Sequence, residues 1–263
     1  MSAPPPKILS GLTNDTPKRF WTCEMHGDYE GFEYKFGLKK GQFSDSGCPV
    51  CNKIAVEKQK DEEKLREEFQ RQNRIKLMFL DCGIPKRYKG CSFENYYPEK
   101  DSKLALDVAK KYTQLFETRK DSGCSLVFCG MPGTGKTHLA CAIANTLVGQ
   151  GFSVKYTTAL KACNTVKETY SRDSVRTENQ ALKTFQSPHL LVVDEVGMQF
   201  GTDTEKMILY QIINARYEDV LPTIMISNLP EKELSAYIGE RCVDRMREGG
   251  GAVVSFDWKS YRK

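Results

Sequence analysis

Short apolar runs alternate with helix-like stretches through the last two thirds of the chain. The runs are strand-like and lie at 126–129, 154–157, 190–193, 223–227 and 252–256. Between them the pattern predicts helices at 103–118, 137–148, 159–171, 177–186, 203–218 and 231–247. Continuous apolar strands separated by helices are typical of a parallel sheet that is covered on both faces. The pattern therefore predicts an α/β fold for this part of the chain.

The first third of the chain lacks this alternation and divides into three parts. Residues 1–19 are rich in Pro, Ser and Thr and are expected to be flexible. Residues 20–54 combine cysteines and a histidine with glycines and aromatic residues. Residues 55–83 are highly charged and have few apolar positions at their start, so they predict a linker helix that faces solvent or a partner. The α/β region then occupies 84–263.

Composition is that of a globular protein. The chain has 263 residues, of which 40% are hydrophobic and 28% charged, enough for one domain of average size and a smaller module. No apolar run approaches the roughly 18 residues of a membrane helix, and the N-terminus lacks the apolar core of a secretion signal. We therefore expect a cytoplasmic protein with no membrane partner. The net charge of +5 permits contact with nucleic acid without requiring it. The ten cysteines are expected to be reduced, some of them as metal ligands.

The segment GMPGTGKT, residues 130–137, follows a predicted strand and precedes a predicted helix. It satisfies the phosphate-loop pattern G-x-x-x-x-G-K-[ST], in which glycines let backbone N–H groups face a phosphate at the positive end of a helix. Lys136 is expected to reach the β- and γ-phosphates, and the Thr137 hydroxyl to coordinate Mg²⁺. An ordinary glycine turn is the alternative, and the flanking elements disfavour it. The expected contacts of ATP or ADP are Gly130, Pro132, Gly133, Thr134, Gly135, Lys136, Thr137 and His138.

Polar residues end two further strands. Asp194 follows the apolar run 190–193 and is expected to hold Mg²⁺ directly or through water, while Glu195 would polarise the water that attacks the γ-phosphate. Asn228 ends the next strand and would orient that water, with a simple strand-ending turn as the alternative. An apolar run that ends in Asp-Glu is a weak signal by itself. Downstream of a phosphate loop it becomes a strong one.

A second chemical motif lies near the N-terminus. Cys23 and His26 form a C-x₂-H pair, and after 21 residues Cys48 and Cys51 form a C-x₂-C pair. Two close pairs of ligands on two turns suit tetrahedral Zn²⁺. A segment with so little apolar core would obtain folding free energy from the metal. We predict a zinc-ribbon-like module, with reduced cysteines that bind no metal as the alternative.

Several stretches resemble the AAA+ ATPase domain of the DnaC-type replicative helicase loaders, to which the DnaI-type loaders and the IstB-type transposition ATPases are closely related. They are CSFENY (91–96), GMPGTGKTHLA (130–140), LLVVDEVG (190–197), GERCVDRM (239–246) and FDWKSYR (256–262). The resemblance covers 84–262. It implies an AAA+ P-loop fold with a minimal lid, slow and DNA-stimulated ATP hydrolysis, and a hexameric DnaB-type helicase as the partner.

The resemblance also assigns roles to three arginines. Arg245 matches the arginine finger, which completes the ATP site of a neighbouring subunit, so self-association is implied. Arg241 is the alternative for this role. Arg262 matches the second-sensor arginine, which contacts the nucleotide.

Two further segments, 167–174 and 200–206, match those with which the family binds single-stranded DNA. An aromatic ring beside basic residues is a reasonable site for tracking a strand, although the ring could equally serve packing alone. The candidate contacts are Tyr170, Lys167, Arg172, Thr202 and Thr204.

Three functional hypotheses follow. The favoured one, supported by CSFENY and SYR, is a loader that binds a helicase through residues 1–80 and deposits it on single-stranded DNA. The second is an IstB-type ATPase that regulates a DNA transposase. The third is a zinc-dependent DNA-binding module that has lost ATP turnover, against which the intact Lys136, Asp194 and Glu195 argue. DnaI-type loaders carry an N-terminal zinc module that engages the helicase, but here the module could grip helicase, DNA or another protein.

Overall fold

The computed structural model of the protein describes residues 18–34, 44–45, 47–98, 100–198 and 201–261. Most of the segment expected to be flexible, 1–19, and the expected second-sensor residue Arg262 lie outside the described residues. The chain forms two compact units, residues 1–72 and 73–263, which are described in turn. No helix in the described ranges is long and apolar enough to cross a membrane.

The first unit contains a small antiparallel sheet. Its strands are β1 (Lys18–Cys23), β2 (Gly27–Tyr34) and β3 (Ser44–Asp45), in that order across the sheet. The pairing of Cys23 with Gly27 closes a tight hairpin between β1 and β2. Gly27 has a φ of 75°, a conformation that residues with a Cβ rarely adopt. The apolar pattern did not predict these strands, because most side chains of β1 are exposed.

A helix of 33 residues, α1 (Pro49–Asp81), follows. Proline suits the first position of a helix because the N–H that it lacks would have no helical partner there. None of its residues is buried, as the charged sequence predicts. It begins earlier than the predicted linker helix at 55–83, so Cys51 lies in its first turn. Residues up to 72 belong to the first unit and the remainder to the second.

The second unit is built on a five-stranded sheet in which every pairing is parallel. The strand order is β5-β6-β7-β4-β8, so β6, β7 and β4 are neighbours although they are far apart in the sequence. All five strands coincide closely with the predicted apolar runs, which confirms the α/β prediction. The strands are β4 (Leu126–Gly130), β5 (Val154–Thr158), β6 (Leu190–Val196), β7 (Thr223–Ser227) and β8 (Ala252–Phe256).

Helices cover both faces of this sheet and bury a separate apolar cluster against each. Two predicted helices are broken: the one at 103–118 divides at Leu115, and the one at 231–247 divides at Gly239, which has a φ of 92°. The helices are α2 (Lys103–Gln114), α3 (Phe116–Arg119), α4 (Lys136–Gln150), α5 (Ala159–Lys167), α6 (Glu178–Gln186), α7 (Asp203–Glu218), α8 (Glu231–Ile238) and α9 (Glu240–Arg247).

One buried arginine, Arg216, links α7 to the residues that precede β6 and β7. Arg216 of α7 is completely buried, and its guanidinium donates to the carbonyl oxygens of Pro188 and Pro222 at 2.9 and 2.5 Å. Its Nε also donates to the hydroxyl of Thr223 at 3.0 Å. These bonds join the start of β7 to the loop before β6. They hold in register two of the strands that end at the site described below.

Candidate functional site

The carboxyl ends of β4, β6 and β7 open onto a cavity of about 750 Å³. In a parallel α/β sheet this edge is where ligands bind. The segment from Pro85 to Tyr97 and the C-terminal Tyr261 form the other walls. The predicted site residues that line the cavity are Pro132, Gly133, Gly135, Lys136, Thr137, His138, Asp194, Glu195 and Asn228.

The loop after β4 has a backbone that only glycine accommodates. Gly130, Gly133 and Gly135 have φ values of 113°, 78° and 93°. Space is limiting too, because a Cβ on Gly135 would lie 2.6 Å from the ring of Tyr96 and one on Gly130 would lie 2.7 Å from the carbonyl oxygen of Phe256. The helix α4 then begins at Lys136, with its N-terminus and its partial positive charge at the cavity. This arrangement suits an anion.

Lys136 is 4% exposed and its ammonium group lies inside the loop. Its Nζ donates to the carbonyl oxygens of Gly130 at 2.8 Å and Met131 at 2.5 Å. Carbonyl dipoles thus solvate a buried positive charge at the place where the phosphates of a nucleotide would lie. Thr134 is fully buried, and its hydroxyl donates to the Met131 carbonyl at 2.7 Å, which braces the loop.

The C-terminal tail also braces this loop. Beyond β8 the described chain continues as far as Tyr261. The indole N–H of Trp258 donates to the carbonyl oxygen of Thr134 at 3.1 Å, and the backbone N–H of Tyr261 donates to that of Gly133 at 2.9 Å. The sequence did not predict this contact.

The carboxylate of Asp194 lies beside Thr137, as a shared metal site requires. The Thr137 hydroxyl donates to Oδ2 of Asp194 at 2.9 Å, and the backbone N–H of Glu195 donates to Oδ1 at 2.7 Å. A second hydroxyl, that of Tyr156, also donates to Oδ2, at 2.7 Å. Burial and the nearby Asp194 carboxylate raise the pKa of Tyr156, so it stays a donor. Sequence reasoning missed this tyrosine, for which no motif gives a signal.

Glu195 and Asn228, at the carboxyl ends of β6 and β7, also line the cavity. Glu195 is exposed and has a φ of 59°, a left-handed conformation that costs a residue with a side chain about 1 kcal/mol or more. Strain of this kind is typical of functional positions. Ser227, just before Asn228, donates from its hydroxyl to the carbonyl oxygen of Val196 at 2.6 Å and so links the ends of β6 and β7.

The two candidate finger arginines lie one turn apart on α9, away from the cavity lining. Arg245 is half-buried: its Nη1 donates to the hydroxyl of Tyr210 at 3.1 Å and to the side-chain carbonyl of Asn214, and its guanidinium lies 5.0 Å from the ring centre of Tyr217. The hydrogen bond to Tyr210 raises the pKa of Arg245. Arg241 is exposed and has no side-chain partner among the residues that the structure describes.

The two candidate DNA segments meet at a buried carboxylate. Glu205 is 2% exposed, and its Oε1 accepts from Lys167 Nζ at 2.7 Å. Its other oxygen accepts from the backbone N–H of Gly201 at 3.1 Å. Thr202 caps the N-terminus of α7 by accepting from the backbone N–H of Glu205 at 3.3 Å. Lys167 therefore joins the two segments, and Thr202 orders the start of α7 within the second.

The other three candidates for DNA contact lie on the surface. Tyr170 is 51% exposed, and its hydroxyl donates to Glu178 at 3.3 Å, which leaves part of the ring open to solvent. Arg172 and Thr204 are exposed. The exposed ring of Tyr170 could stack on a base, and the guanidinium of Arg172 on the same segment could contact the DNA backbone.

In the first unit, the predicted ligand atoms of Cys23, His26, Cys48 and Cys51 all lie within 4.8 Å of one another. Cys23 Sγ is 3.7 Å from Cys51 Sγ, and His26 Nδ1 is 3.6, 3.7 and 3.2 Å from the sulfurs of Cys23, Cys48 and Cys51. Zinc bonds of about 2.3 Å to sulfur in a tetrahedron give ligand separations of about 3.5–3.8 Å. The four side chains have the chemistry and the spacing for zinc.

The charges in this cluster favour a cation. The backbone N–H of Met25 donates to Cys23 and is the main cause that lowers the pKa of this thiol to about 6. The hydrogen bond to Cys23 raises the pKa of Cys51 to about 11. An ionised Cys23 therefore disfavours ionisation of Cys51. A divalent cation between the two sulfur atoms would stabilise both as thiolates.

Comparison with known proteins agrees with this geometry. Residues 57–263 match the family described as IstB-like ATP binding protein. The Replicative helicase loader DnaC of Buchnera aphidicola subsp. Schizaphis graminum is 40% identical over 182 residues, 69% of this chain and 73% of that protein. The protein of the same name from Escherichia coli K12 is 39% identical over 198 residues, 74% of this chain and 79% of that protein.

The fold is also found in a solved structure. The crystal structure of the DnaC helicase loader superimposes with a TM-score of 0.59 over 66% of this chain and 100% of that chain, at 23% identity. At this identity the likeness concerns the fold alone.

Proposed function

Since this chain belongs to the family of IstB-like ATP binding proteins, we propose that it is an ATP-dependent loader of a hexameric DnaB-type replicative helicase. The observation that carries the proposal is the meeting of Lys136, Thr137 and Asp194 in one cavity. Relatives named Replicative helicase loader DnaC, about 40% identical, indicate the task that this ATP site would drive. The relatives are named as loaders of a replicative helicase, so we propose a cytoplasmic location.

Hydrolysis would use the residues around the cavity in separate roles. Lys136 would neutralise the charge of the β- and γ-phosphates from within the loop, and Thr137 and Asp194 would hold Mg²⁺. Bound Mg²⁺ supplies charge neutralisation across the phosphate oxygens. Glu195 would accept the proton of the attacking water, which Asn228 would orient. We propose that this turnover is slow and stimulated by single-stranded DNA.

A neighbouring copy of the chain would complete the site. A planar guanidinium stabilises charge that grows on a transferring phosphoryl group, and both Arg245 and Arg241 are on the helix proposed to supply it. Arg245 is already engaged by Tyr210, Asn214 and Tyr217 in its own subunit. Arg241 is exposed. We therefore favour Arg241 as the group that reaches the neighbour, with Arg245 fixing the position of α9.

The remaining parts of the proposal concern partners. Cys23, His26, Cys48 and Cys51 would hold Zn²⁺, whose contribution is to fold the module. The module and α1 would bind the helicase. Single-stranded DNA would contact Tyr170, Arg172 and Thr204, with Lys167 and Thr202 ordering that surface.

The family description supports a second candidate, an IstB-type ATPase that regulates a transposase. One experiment separates the two: the full chain is mixed with a DnaB-type helicase and ATP, the complex is isolated by size-exclusion chromatography, and the helicase that reaches circular single-stranded DNA is measured. A loader forms the complex and increases helicase on DNA, and the Lys136→Ala variant does not increase it. ATP-dependent DNA binding without any helicase complex would favour the transposition ATPase.

A further inference from the structure

A phenol from a neighbouring strand holds the carboxylate of the proposed metal site. Strands β5 and β6 pair so that Tyr156 lies opposite Val192 and Thr158 opposite Asp194. The Tyr156 side chain reaches along the cavity wall, and its hydroxyl donates to Oδ2 of Asp194 at 2.7 Å. Both residues are buried, with 6% and 5% of their surface exposed. A hydrogen bond to an ionised acceptor is among the stronger ones in proteins, more so when water is excluded.

Among the described residues, three groups donate to the Asp194 carboxylate, and these groups differ in the other contacts expected of them. The backbone N–H of Glu195 holds Oδ1, and the hydroxyls of Thr137 and Tyr156 share Oδ2. The Thr137 oxygen is the expected metal ligand of the phosphate loop. Tyr156 belongs to no nucleotide motif, because it lies on β5 and not in the phosphate loop. Its hydroxyl is therefore free to serve the orientation of the carboxylate alone.

The backbone on which Tyr156 sits is fixed from both sides. One edge pairs with β6, and on the other edge the Tyr156 N–H donates to the carbonyl oxygen of Cys82 at 2.6 Å. The next residue, Gly83, approaches so closely that a Cβ on it would lie 2.6 Å from the Tyr156 carbonyl oxygen. Lys155 adds a bond from Nζ to the carbonyl oxygen of Asp81 at 2.8 Å. A donor on such a rigid strand can set the plane of a carboxylate.

We propose that Tyr156 is a positioning residue for magnesium: its hydroxyl orients Asp194 so that this carboxylate and the Thr137 hydroxyl oxygen face one cation. The inference rests on the proposed ATP site. It implies that removing only the Tyr156 oxygen weakens the dependence of nucleotide binding on Mg²⁺. The affinity for the nucleotide in the absence of the metal, which depends on the phosphate loop, is expected to stay the same.

The test is Tyr156→Phe in the full chain, with binding of a fluorescent ADP analogue measured by titration in excess Mg²⁺ and in excess EDTA. A hydrogen bond to a charged group corresponds to about a tenfold change, so the Mg²⁺-dependent gain in affinity is expected to fall about tenfold in the variant. The dissociation constant in EDTA is expected to match that of the wild type. The half-saturating Mg²⁺ concentration for ATP hydrolysis should rise in parallel.

Tyr112→Phe is the matched control, because Tyr112 is also buried and donates to a backbone carbonyl, that of Cys124, at 3.1 Å. It should leave both affinities unchanged. A Tyr156→Phe variant with the wild-type response to Mg²⁺, or with equal losses in Mg²⁺ and EDTA, would overturn the inference. A wild type that binds no nucleotide would instead refute the proposed ATP site. A wild type that binds nucleotide equally in Mg²⁺ and in EDTA would keep that site and overturn the inference.

Discussion

The hydroxyl of Thr137 donates to Oδ2 of Asp194 at 2.9 Å, although 57 positions separate the two residues in the sequence. This bond joins the phosphate loop to the carboxyl-terminal part of β6. The contact depends on the parallel sheet, which brings the carboxyl ends of β4 and β6 to one edge. Because Mg²⁺ prefers oxygen ligands, the same pair could exchange its hydrogen bond for a shared cation.

Glu195→Gln is expected to abolish turnover while nucleotide binding remains. The amide keeps the size of the side chain but cannot accept the proton of water, so kcat should fall about 10²- to 10⁴-fold. Phosphate release and the binding of a fluorescent ATP analogue measure the two properties. Glu233→Gln, at an exposed position of α8, is the control. Equal loss of binding and turnover in Glu195→Gln would argue against its role as the base.

Arg241→Ala and Arg245→Ala are expected to affect different properties, ATP hydrolysis in the first and thermal stability in the second. The first should lower ATP hydrolysis about 10³-fold with little change in the melting temperature, because its side chain has no partner within the described part of its own subunit. The second should lower the melting temperature, because it removes the contacts with Tyr210 and Asn214. Calorimetry and phosphate release measure the two effects.

Mixing two inactive variants tests whether the finger acts between subunits. Arg241→Ala retains an intact phosphate loop, and Lys136→Ala retains an intact α9. A mixture should therefore recover hydrolysis at interfaces where one copy supplies the arginine and the other the ATP site. Absence of recovery, in a mixture that still assembles, would place the arginine's action within a single chain.

The cluster of Cys23, His26, Cys48 and Cys51 is expected to bind one zinc ion per chain. Metal content by mass spectrometry should drop to near zero in Cys48→Ser and stay unchanged in Cys91→Ser, whose cysteine lies outside the cluster. Chelation should speed amide hydrogen exchange in β1 and β2, since the metal supplies folding free energy to this small sheet. Affinity should fall as the pH falls, because protons compete for the thiolates. Zinc in Cys48→Ser at wild-type content would contradict the assignment.

Lys167→Met is expected to destabilise the second unit by about 1–2 kcal/mol at pH 7, because it leaves the Glu205 carboxylate buried with one donor fewer. The hydrogen bond from Lys167 lowers the pKa of Glu205 from its ordinary 4.5. A lowered carboxylate pKa contributes stability above the ordinary value, and this contribution is lost as the pH falls through the lowered one. The difference between variant and wild type should therefore shrink as the pH falls below 4.5 and disappear once Glu205 is protonated in both. Urea unfolding measures it, with the exposed Lys161→Met on the same helix as the control.

Tyr170→Ala is expected to weaken single-stranded DNA binding by about 1–3 kcal/mol, the range for loss of one stacked base. Fluorescence anisotropy with an oligothymidine measures the affinity. Tyr170→Phe keeps the ring and should bind as the wild type does, which separates stacking from the hydrogen bond to Glu178. A Phe variant as weak as the Ala variant would indicate that this bond, rather than the ring, matters.

Local features of the sequence were sufficient for the fold class and for the parts of the site that are contiguous in the chain. Apolar runs such as 190–193 form strands because burial on both faces requires it, and each predicted strand is present. The loop at 130–137 forms from its own glycines and the helix that follows. The residues of the motif are therefore sufficient to determine its conformation. The spacing of Cys23 with His26 and of Cys48 with Cys51 similarly predicts two local turns.

Only the tertiary structure decided which side chains meet across elements. The phenol of Tyr156 on Asp194, the engagement of Arg245 by Tyr210, and the pairing of Lys167 with Glu205 each join residues from separate strands or helices. Their partners depend on strand order and on helix packing, and neither leaves a periodic signal in the sequence. Strand β1 escaped prediction for a related reason: most of its side chains are exposed, and backbone pairing with β2 holds it in place.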